Sequence, residues 1–227
     1  MKLGAGRGVE DGKSSPVLTP GFQIPMTDSD ELFDLVNDDD VVIGQALRSA
    51  CHGDPALIHR AVHVLVFNSS GALLLQKRAP GKYIQPGKWD TSVGGHLGLG
   101  ESYLAAAYRE MAEELGLTGL PLTYLYRSAI RNQIESENVQ TYLAITDNDI
   151  VYERSEISEV RFWTHDQIDQ ALGQEIFTPN FEEEWQQFKV FARRYQPADP
   201  DRIAFCPGTS FPDLWQELYA ASCPDSG

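Results

Sequence analysis

Three glutamates, Glu110, Glu113 and Glu114, recur at the i, i+3 and i+4 spacing that brings side chains together on one patch of an α-helix. Like charges placed in this way destabilise a helix by about 0.2–0.5 kcal/mol per pair, so the patch invites a counter-charge. Carboxylate oxygens at this density suit a hard divalent cation, Mg²⁺ or Mn²⁺, that is shared with substrate phosphates. On spacing alone, the alternative is a solvated acidic face of an ordinary surface helix.

The helix that carries these glutamates is predicted to cover residues 101–115. It is followed by Gly116, a residue type favoured just past a helix C-terminus. A helical wheel at about 100° per residue places six apolar side chains on one arc and the three glutamates on the other. The apolar arc consists of Leu104, Ala107, Tyr108, Met111, Ala112 and Leu115. We therefore expect that arc to be buried and the carboxylates to face away from it.

The segment around this helix resembles the signature of a known enzyme family. Residues 95–117 read GHLGLGESYLAAAYREMAEELGL, which is similar to the Nudix box Gx₅Ex₇REUxEExGU, where U is an aliphatic residue. The fixed positions all agree: Gly95, Glu101, Arg109, Glu110, Met111, Glu113, Glu114, Gly116 and Leu117. So many fixed residues at fixed gaps favour the family over the solvated helix.

This resemblance implies an α/β fold, the Nudix α/β/α sandwich with a central mixed sheet and additional C-terminal helices. It also implies that the three glutamates hold Mg²⁺ (or Mn²⁺), that Glu101 and Arg109 brace the loop and the helix, and that Gly94 or Gly95 offers a carbonyl oxygen to the metal. Metal bound in this way screens the charge of a diphosphate and lowers the pKa of a bound water, which attacks phosphorus.

A second resemblance extends over residues 44–117 and concerns the branch of the superfamily that includes isopentenyl diphosphate isomerase. It lies in LIHRAVHVLVFNSSGALLLQKRAPGK and in PGKWDTSVGGH. The resemblance implies a second metal site and cations that grip the diphosphate. The matching positions are His52, His59, His96, Glu135 and Glu137 for the metal, and Arg78, Lys82 and Arg48 for the substrate. A lone histidine is more often a hydrogen-bonded structural residue than a ligand, so both interpretations stay open for the histidines.

The isomerase's catalytic cysteine falls on Gly94, which has no side chain to protonate or deprotonate an alkene. The isomerase's own box is also degenerate, whereas the box in this chain is complete. Both departures favour hydrolysis over isomerisation. The water-activating base lies outside the box in many Nudix enzymes, and Glu137 is our candidate, with Glu135, Glu156 and Glu159 as alternatives.

Other residues with chemical potential are interpreted more simply. His63 and His165 are assigned no function. Trp89 is interpreted as a packing residue where a strand enters the core, with stacking on the substrate as the alternative.

Strand and turn signals surround the box. Strands are predicted over residues 32–36, 41–44, 61–67, 72–75, 89–93, 122–130, 139–145 and 160–163. The acidic run of residues 37–40 is interpreted as a solvated turn, and residues 131–138 as a polar loop. Thr164 is expected to cap a helix that reaches about residue 172, Pro179 to open a longer helix, and a last helix to cover residues 211–221.

This pattern predicts that the chain is divided into three segments. Residues 1–28 are expected to be a flexible lead-in, residues 29–174 the Nudix hydrolase domain, and residues 175–227 a C-terminal helical extension packed on the same domain. Within that extension, Phe181, Trp185 and Phe188 recur at i, i+4 and i+7. Such a stripe is typical of a buried core, and the face of a homodimer is the alternative.

Composition limits the partners that we expect. The chain has 18 basic and 33 acidic residues and a net charge of −15, which disfavours nucleic-acid polymers and anionic membranes. A small anionic substrate that binds through a metal ion is compatible with this negative charge. Three widely spaced cysteines give no disulfide framework, and no apolar run is long enough to span a bilayer. These features predict a cytoplasmic protein.

Three functions follow from the sequence. The first is a Mg-dependent Nudix hydrolase that cleaves the diphosphate linkage of a small nucleoside diphosphate derivative or other organic diphosphate. The alternatives are an isopentenyl diphosphate isomerase-like enzyme and a non-catalytic Nudix ligand sensor. The complete REMAEE set argues against the sensor, because binding alone does not require three crowded carboxylates.

Overall fold

The computed structural model describes residues 31–82 and 84–194. Their strands are β1 Leu32–Val36, β2 Val42–Leu47, β3 Ile58–Phe67, β4 Leu73–Arg78, β5 Trp89–Asp90, β6 Val93–His96, β7 Thr123–Arg131, β8 Ser136–Ile145 and β9 Ile157–Trp163. Their helices are α1 Arg48–Cys51, α2 Tyr103–Leu115, α3 His165–Ala171 and α4 Pro179–Arg194. The predicted lead-in and the predicted helix of residues 211–221 lie outside the described residues.

The central sheet is mixed. Its strands follow the order β5-β4-β3-β8-β7, with β6 also paired to β3 and β9 to β4. β3 and β8 run parallel over their whole length, while the other pairs are antiparallel. β1 and β2 form a separate two-stranded sheet.

The two faces of the central sheet carry separate apolar cores, because side chains alternate along a strand. Val62, Val64 and Val66 of β3 pack with α2 on one face. Leu65 and Phe67 of the same strand pack with α3 and α4 on the other. This is the α/β/α sandwich that the sequence resemblance implies.

The aromatic stripe of α4 belongs to the second core. Phe181, Trp185 and Phe188 are at most 1% exposed and pack against residues of β3, β4 and α3. Burial of each such side chain stabilises the fold by about 1.5–3 kcal/mol. The prediction of a core stripe is confirmed, and the stripe is not available as a dimer surface.

Helix α2 begins two residues later than predicted, since Ser102 is its N-cap and accepts a hydrogen bond from the Ala105 N–H. Gly116 ends it with φ of 64°, as its residue type predicted. The predicted apolar arc is wrong at one edge, where Leu104 and Tyr108 are exposed. The helical wheel considers the apolar residues only. In the folded helix, two of the glutamates also face β6, and this changes which side of the helix is buried.

Two strand predictions are also corrected. The single strand predicted over residues 89–93 is two short strands, β5 and β6. The intervening Ser92 side chain replaces backbone pairing there, since it donates to the Leu74 carbonyl and accepts from the Val66 N–H. The loop predicted over residues 131–138 is shorter, because β8 begins at Ser136. Glu137 therefore lies in a strand.

The remaining predicted elements are present, although β3 and β9 each begin three residues earlier than predicted and β2 ends three residues later, and the short helix α1 was not predicted. β1 and β2 flank the acidic turn, and β3 and β4 form the expected hairpin. Thr164 closes a capping box on α3. None of the helices in the described ranges has the length and apolar character that a bilayer-spanning helix needs.

Candidate active site

Helix α2 presents its glutamates beside the glycine pair of β6. A Cβ atom added to Gly95 would lie 2.0 Å from Cδ of Glu110, so only a residue without a side chain lets Glu110 occupy this position. The Gly94 N–H donates to Oε2 of Glu114 at 3.4 Å. Glu110 and Glu114 are therefore turned towards the sheet, while the side chain of Glu113 stays 61% exposed.

Arg109 fixes the loop before α2 to the helix. Its Nε and Nη2 atoms donate to the two oxygens of Glu101 at 3.0 and 2.8 Å, which is the strong bidentate arrangement of charged partners. The same guanidinium bonds Glu110 at 2.7 Å, Glu113 at 3.3 Å and the His96 carbonyl at 2.9 Å. The hydrogen bonds from Arg109 hold the pKa of Glu101 below its ordinary value. Arg109 thus joins Glu101, two box glutamates and β6.

The pKa values of two box carboxylates, Glu110 and Glu114, reflect their burial and crowding. Burial, followed by the charge of Glu110, raises the pKa of Glu114 to about 8. Burial also raises the pKa of Glu110, although Arg109 opposes this. The amide of Gln76 on β4 donates to Oε2 of Glu114 at 3.0 Å. Buried carboxylates that repel one another and consist of hard oxygen donors fit a Mg²⁺ or Mn²⁺ ion.

A second cluster lies on the opposite face of β6. Single donor atoms of His52, His59, His96 and Glu137 all lie within 4.8 Å of one another. Oε1 of Glu137 is 3.0 Å from Nε2 of His96 and 3.3 Å from Nε2 of His59. Glu135 Oε2 lies 3.7 Å from His52. The five residues predicted from the isomerase resemblance are therefore brought together.

The histidine cluster has the character of a metal site. His59 is fully buried, and neither of its ring nitrogens has a hydrogen-bond partner among the described residues. Burial, with the neighbouring His96, lowers the pKa of His52 to about 4, and burial also lowers the pKa of His96. Neutral imidazoles are the form that binds metal. Phe33 of β1 stacks on His59 and His96 and covers the cluster.

The predicted substrate-binding cations sit at the end of β4. Arg78 contacts Oδ2 of Asp90 at 3.2 Å and the Ile84 carbonyl at 3.0 Å, and Lys82 forms an ion pair with Glu156. Burial raises the pKa of Glu114, and the positive charge of Lys82 partly offsets this rise. Arg48 instead pairs with Glu31 beside β1.

The residues predicted as candidates for the water-activating base lie in different parts of the structure. Oε1 of Glu137 lies 3.3 Å from Nε2 of His59 and 3.0 Å from Nε2 of His96, and these imidazoles hold the pKa of Glu137 well below the ordinary value despite burial. Glu156 is engaged by Lys82, and Glu159 lies on β9 opposite Lys77. The assignment of Glu137 as base stays a prediction, and its contacts favour a role in holding metal.

Two polar groups of this region were not predicted. Gln76 lies two residues before Arg78 and had no signal of its own. His63 forms an ion pair with Glu184 of α4, with 2.9 Å between Nδ1 and Oε2. Burial would lower the pKa of His63, but the Glu184 carboxylate raises it to about 9. A signal was present, because Glu184 interrupts the apolar stripe of α4.

Comparisons with known proteins agree with this geometry. Residues 57–183 match the model of the NUDIX domain. The isopentenyl-diphosphate Delta-isomerase of Streptomyces avermitilis is 31% identical over 156 residues, covering 66% of this chain and 79% of that protein. An uncharacterized Nudix hydrolase of Streptomyces coelicolor is 42% identical over 96 residues, covering 42% of this chain and 52% of that protein.

Solved structures agree as well. DR0079 from Deinococcus radiodurans has a TM-score of 0.60 at 30% identity, covering 69% of this chain and 98% of that one. A MutT protein from Methanosarcina mazei has a TM-score of 0.52 at 22% identity, covering 60% of this chain and 95% of that one, and supports the fold alone. Both the sequence resemblance and the sandwich architecture are confirmed.

Proposed function

The chain belongs to the Nudix family, and we propose that it is a Mg²⁺-dependent hydrolase that cleaves the diphosphate linkage of a small nucleoside diphosphate derivative or another organic diphosphate. The observation that carries this proposal is the packing of Glu110 and Glu114 against the glycines of β6, with Arg109 fixing Glu110. This arrangement maintains a crowded set of carboxylates that destabilises the protein unless a cation binds there.

Each residue of the box has a part in this proposal. Glu110, Glu113 and Glu114 hold the metal, and Glu101 positions Arg109 so that the loop and the helix keep their geometry. The Gly94 carbonyl is a further candidate ligand. Bound Mg²⁺ would screen the diphosphate and make its water a stronger nucleophile. Arg78 and Lys82 bind phosphate oxygens of the substrate, which replace their present partners Asp90 and Glu156. Binding phosphate is the usual role of cations bordering an acidic metal site.

A ³¹P NMR screen of the purified protein with Mg²⁺ tests the proposal. The panel contains nucleotide sugars, dinucleotides, coenzymes, nucleoside triphosphates and isoprenoid diphosphates, so the spectrum identifies both the substrate and the bond cleaved. We expect phosphorylated products from at least one compound. No cleavage of any of them with Mg²⁺ or Mn²⁺ would contradict the proposed function.

Glu114→Gln tests the metal mechanism. We expect the turnover rate to fall at least about a hundredfold, the scale of a lost charge-stabilising group. Glu183→Gln on the exposed face of α4 is the matched control and should keep the full rate. An unchanged rate in Glu114→Gln would exclude the proposed mechanism.

A second candidate is an isomerase-like activity on isopentenyl diphosphate. It is favoured by the relatives that bear the isomerase name and by the histidine cluster. Against it stands Gly94, at the position that the resemblance aligns with the catalytic cysteine. An assay for allylic double-bond migration distinguishes the two candidates, and we expect no migration.

A further inference from the structure

His63 and Glu184 form a buried polar pair that the proposed metal mechanism does not use. Nδ1 of His63 lies 2.9 Å from Oε2 of Glu184, and the Thr141 hydroxyl donates to the other carboxylate oxygen at 3.0 Å. Glu184 is only 7% exposed and lies between Phe181 and Trp185 on the apolar stripe of α4. A carboxylate buried there is costly unless it is paired, so its main effect is to fix the imidazole ring.

The pair lies on the same face of the sheet as the histidine cluster. His59 and His63 are four residues apart on β3 and therefore point to the same side. The register aligns His59 with Glu137 and His63 with Thr141 on β8. On β6 it aligns His63 with Gly94, two residues before His96. Two steps along a strand span about 7 Å, so His63 is a near neighbour of the cluster.

Gly94 leaves room beside the outer edge of the ring. A Cβ atom at this position would lie 3.4 Å from Cδ2 and 3.7 Å from Nε2 of His63. Since Glu184 holds Nδ1, Nε2 is the ring nitrogen that is left to bond another group. The hydrogen bonds and ion pairs formed within residues 31–82 and 84–194 include none at this nitrogen, and the side chain keeps 13% of its surface exposed.

We propose that Nε2 of His63 hydrogen-bonds an oxygen of the bound substrate in the space over Gly94, and that Glu184 is the positioning residue for this ring. The inference rests on the proposed function, because the substrate is the organic diphosphate of that reaction. The oxygen belongs either to the diphosphate or to the organic group attached to it. An imidazole can hydrogen-bond either kind of oxygen, and the imidodiphosphate binding experiment distinguishes the two.

Steady-state kinetics on the substrate identified by the NMR screen give the first test. His63→Leu removes the polar edge and is expected to lower kcat/KM by about 10–100-fold, mainly through KM, as for a lost bond to a charged group. His63→Gln, which keeps an amide near the place of Nε2, should recover part of the loss. The Mg²⁺ requirement of all variants should stay unchanged, because His63 does not bind the box metal.

Glu184→Gln tests the positioning role. We expect it to reproduce most of the loss of His63→Leu, and the double variant to be no worse than His63→Leu alone, since the two residues act as one unit. If the two losses add fully, or if His63→Leu and His63→Gln behave alike, the pair is merely structural and the inference is wrong. Thermal unfolding of each variant identifies those that fail to fold.

Binding of imidodiphosphate, measured by calorimetry with Mg²⁺, locates the oxygen. Weakening by at least tenfold in His63→Leu identifies a phosphoryl oxygen. Unchanged imidodiphosphate affinity together with the raised KM identifies an oxygen of the organic group. Unchanged affinity and unchanged KM overturn the inference. Should the wild type cleave no diphosphate, the proposed function fails, and imidodiphosphate binding alone then decides the contact.

Discussion

Position 95 illustrates how the absence of one side chain can determine where another side chain lies. Glu110 fills the volume that a Cβ atom at Gly95 would take, and Arg109 holds it there at 2.7 Å. The fixed glycine of the box therefore has a steric reason in this chain. It reserves the space in which the Glu110 carboxylate, which we propose to hold metal, approaches β6.

We predict that Gly95→Ala lowers catalysis more than stability. The three atoms nearest to the added methyl group all belong to the flexible side chain of Glu110, so we expect the fold to adapt while that carboxylate leaves its place. The turnover rate should fall at least about tenfold and the Mg²⁺ concentration for half activity should rise, as after loss of one ligand. Gly98→Ala is the control, because its Cβ would make only an ordinary 3.6 Å contact with Glu101. Equal effects of both substitutions would argue against the steric explanation.

His63 makes stability depend on pH in a defined window. Burial opposes the charged ring, but Glu184 raises the pKa of His63 from 6.5 to about 9. A group whose pKa is raised by folding stabilises the protein fully below pH 6.5, and this contribution is lost as the pH rises through 9. We predict that the contribution of His63 to the free energy of unfolding falls by no more than about 3 kcal/mol between these values.

Urea unfolding at pH 6.5, 7.5 and 9.5 measures this loss. In Glu184→Gln the imidazole has lost its charged partner, so the fall over the same interval should be smaller than in the wild type. The fall that is left comes from other groups, among them Glu114, whose raised pKa of about 8 lies in the same window. A pH dependence equal to that of the wild type in this variant would show that the ion pair is not its source.

The residues of the site differ in how far the sequence could predict them. The box carboxylates and the histidines were found because fixed spacing carries the resemblance. Gln76 could not be found, since its contact with Glu114 joins β4 to α2 across 38 positions of sequence. Glu184 could have been found, because a carboxylate within an apolar helical stripe requires a buried partner.

At the scale of elements, the acidic turn between β1 and β2 proves to be an anchor. The sequence interpretation of residues 37–40 was a solvated turn, and this is correct for the exposed Asp38 and Asp39. Asp40 instead accepts hydrogen bonds from Arg60 and from the Tyr103 hydroxyl, each at 3.0 Å. The hairpin is thereby tied to β3 and to the first turn of α2.

We predict that Asp40→Asn destabilises the protein by about 1–2 kcal/mol, because bonds to a charged acceptor become bonds to a neutral one. Asparagine tolerates the φ of 66° at this position, so the backbone is not the cause. Asp39→Asn in the same turn should change stability by less than about 0.5 kcal/mol. Chemical denaturation at constant m-value compares the two, and equal midpoints would refute the anchor.

Local patterns predicted most elements and failed where tertiary contacts decide. Strand and cap signals identified β3, β8, α3 and α4, since each is long or has a capping signal, although β3 and β8 both begin three residues before their predicted starts. The break between β5 and β6 depends on Ser92 bonding two other strands, which no local pattern contains. The orientation of α2 depends on the glycines of β6, which a helical wheel does not include.

At the scale of the whole molecule, β6 connects two candidate metal sites. Its glycine backbone contacts Glu110 and Glu114, while the ring of His96 enters the histidine cluster. Arg109 bonds the His96 carbonyl and so links the two sides. The donor sets differ, because the box offers oxygen ligands alone and the cluster three nitrogens and one oxygen. The two sites should therefore prefer different metals.

This difference leads to a prediction about overall stability. The cluster draws its ligands from the end of α1 and from β3, β6 and β8, so a bound ion ties together distant parts of the chain. Zn²⁺ or Mn²⁺ at about a hundred times its dissociation constant would add about 2.7 kcal/mol. For a domain of this size that raises Tm by about 5–10 °C.

His52→Ala, which removes the most accessible imidazole of the cluster, should abolish most of this metal-dependent rise. Glu110→Gln should retain it, because its carboxylate belongs to the other site. Calorimetry after chelator treatment, with and without added metal, compares the three proteins, and an equal rise in His52→Ala would exclude the cluster as the stabilising site.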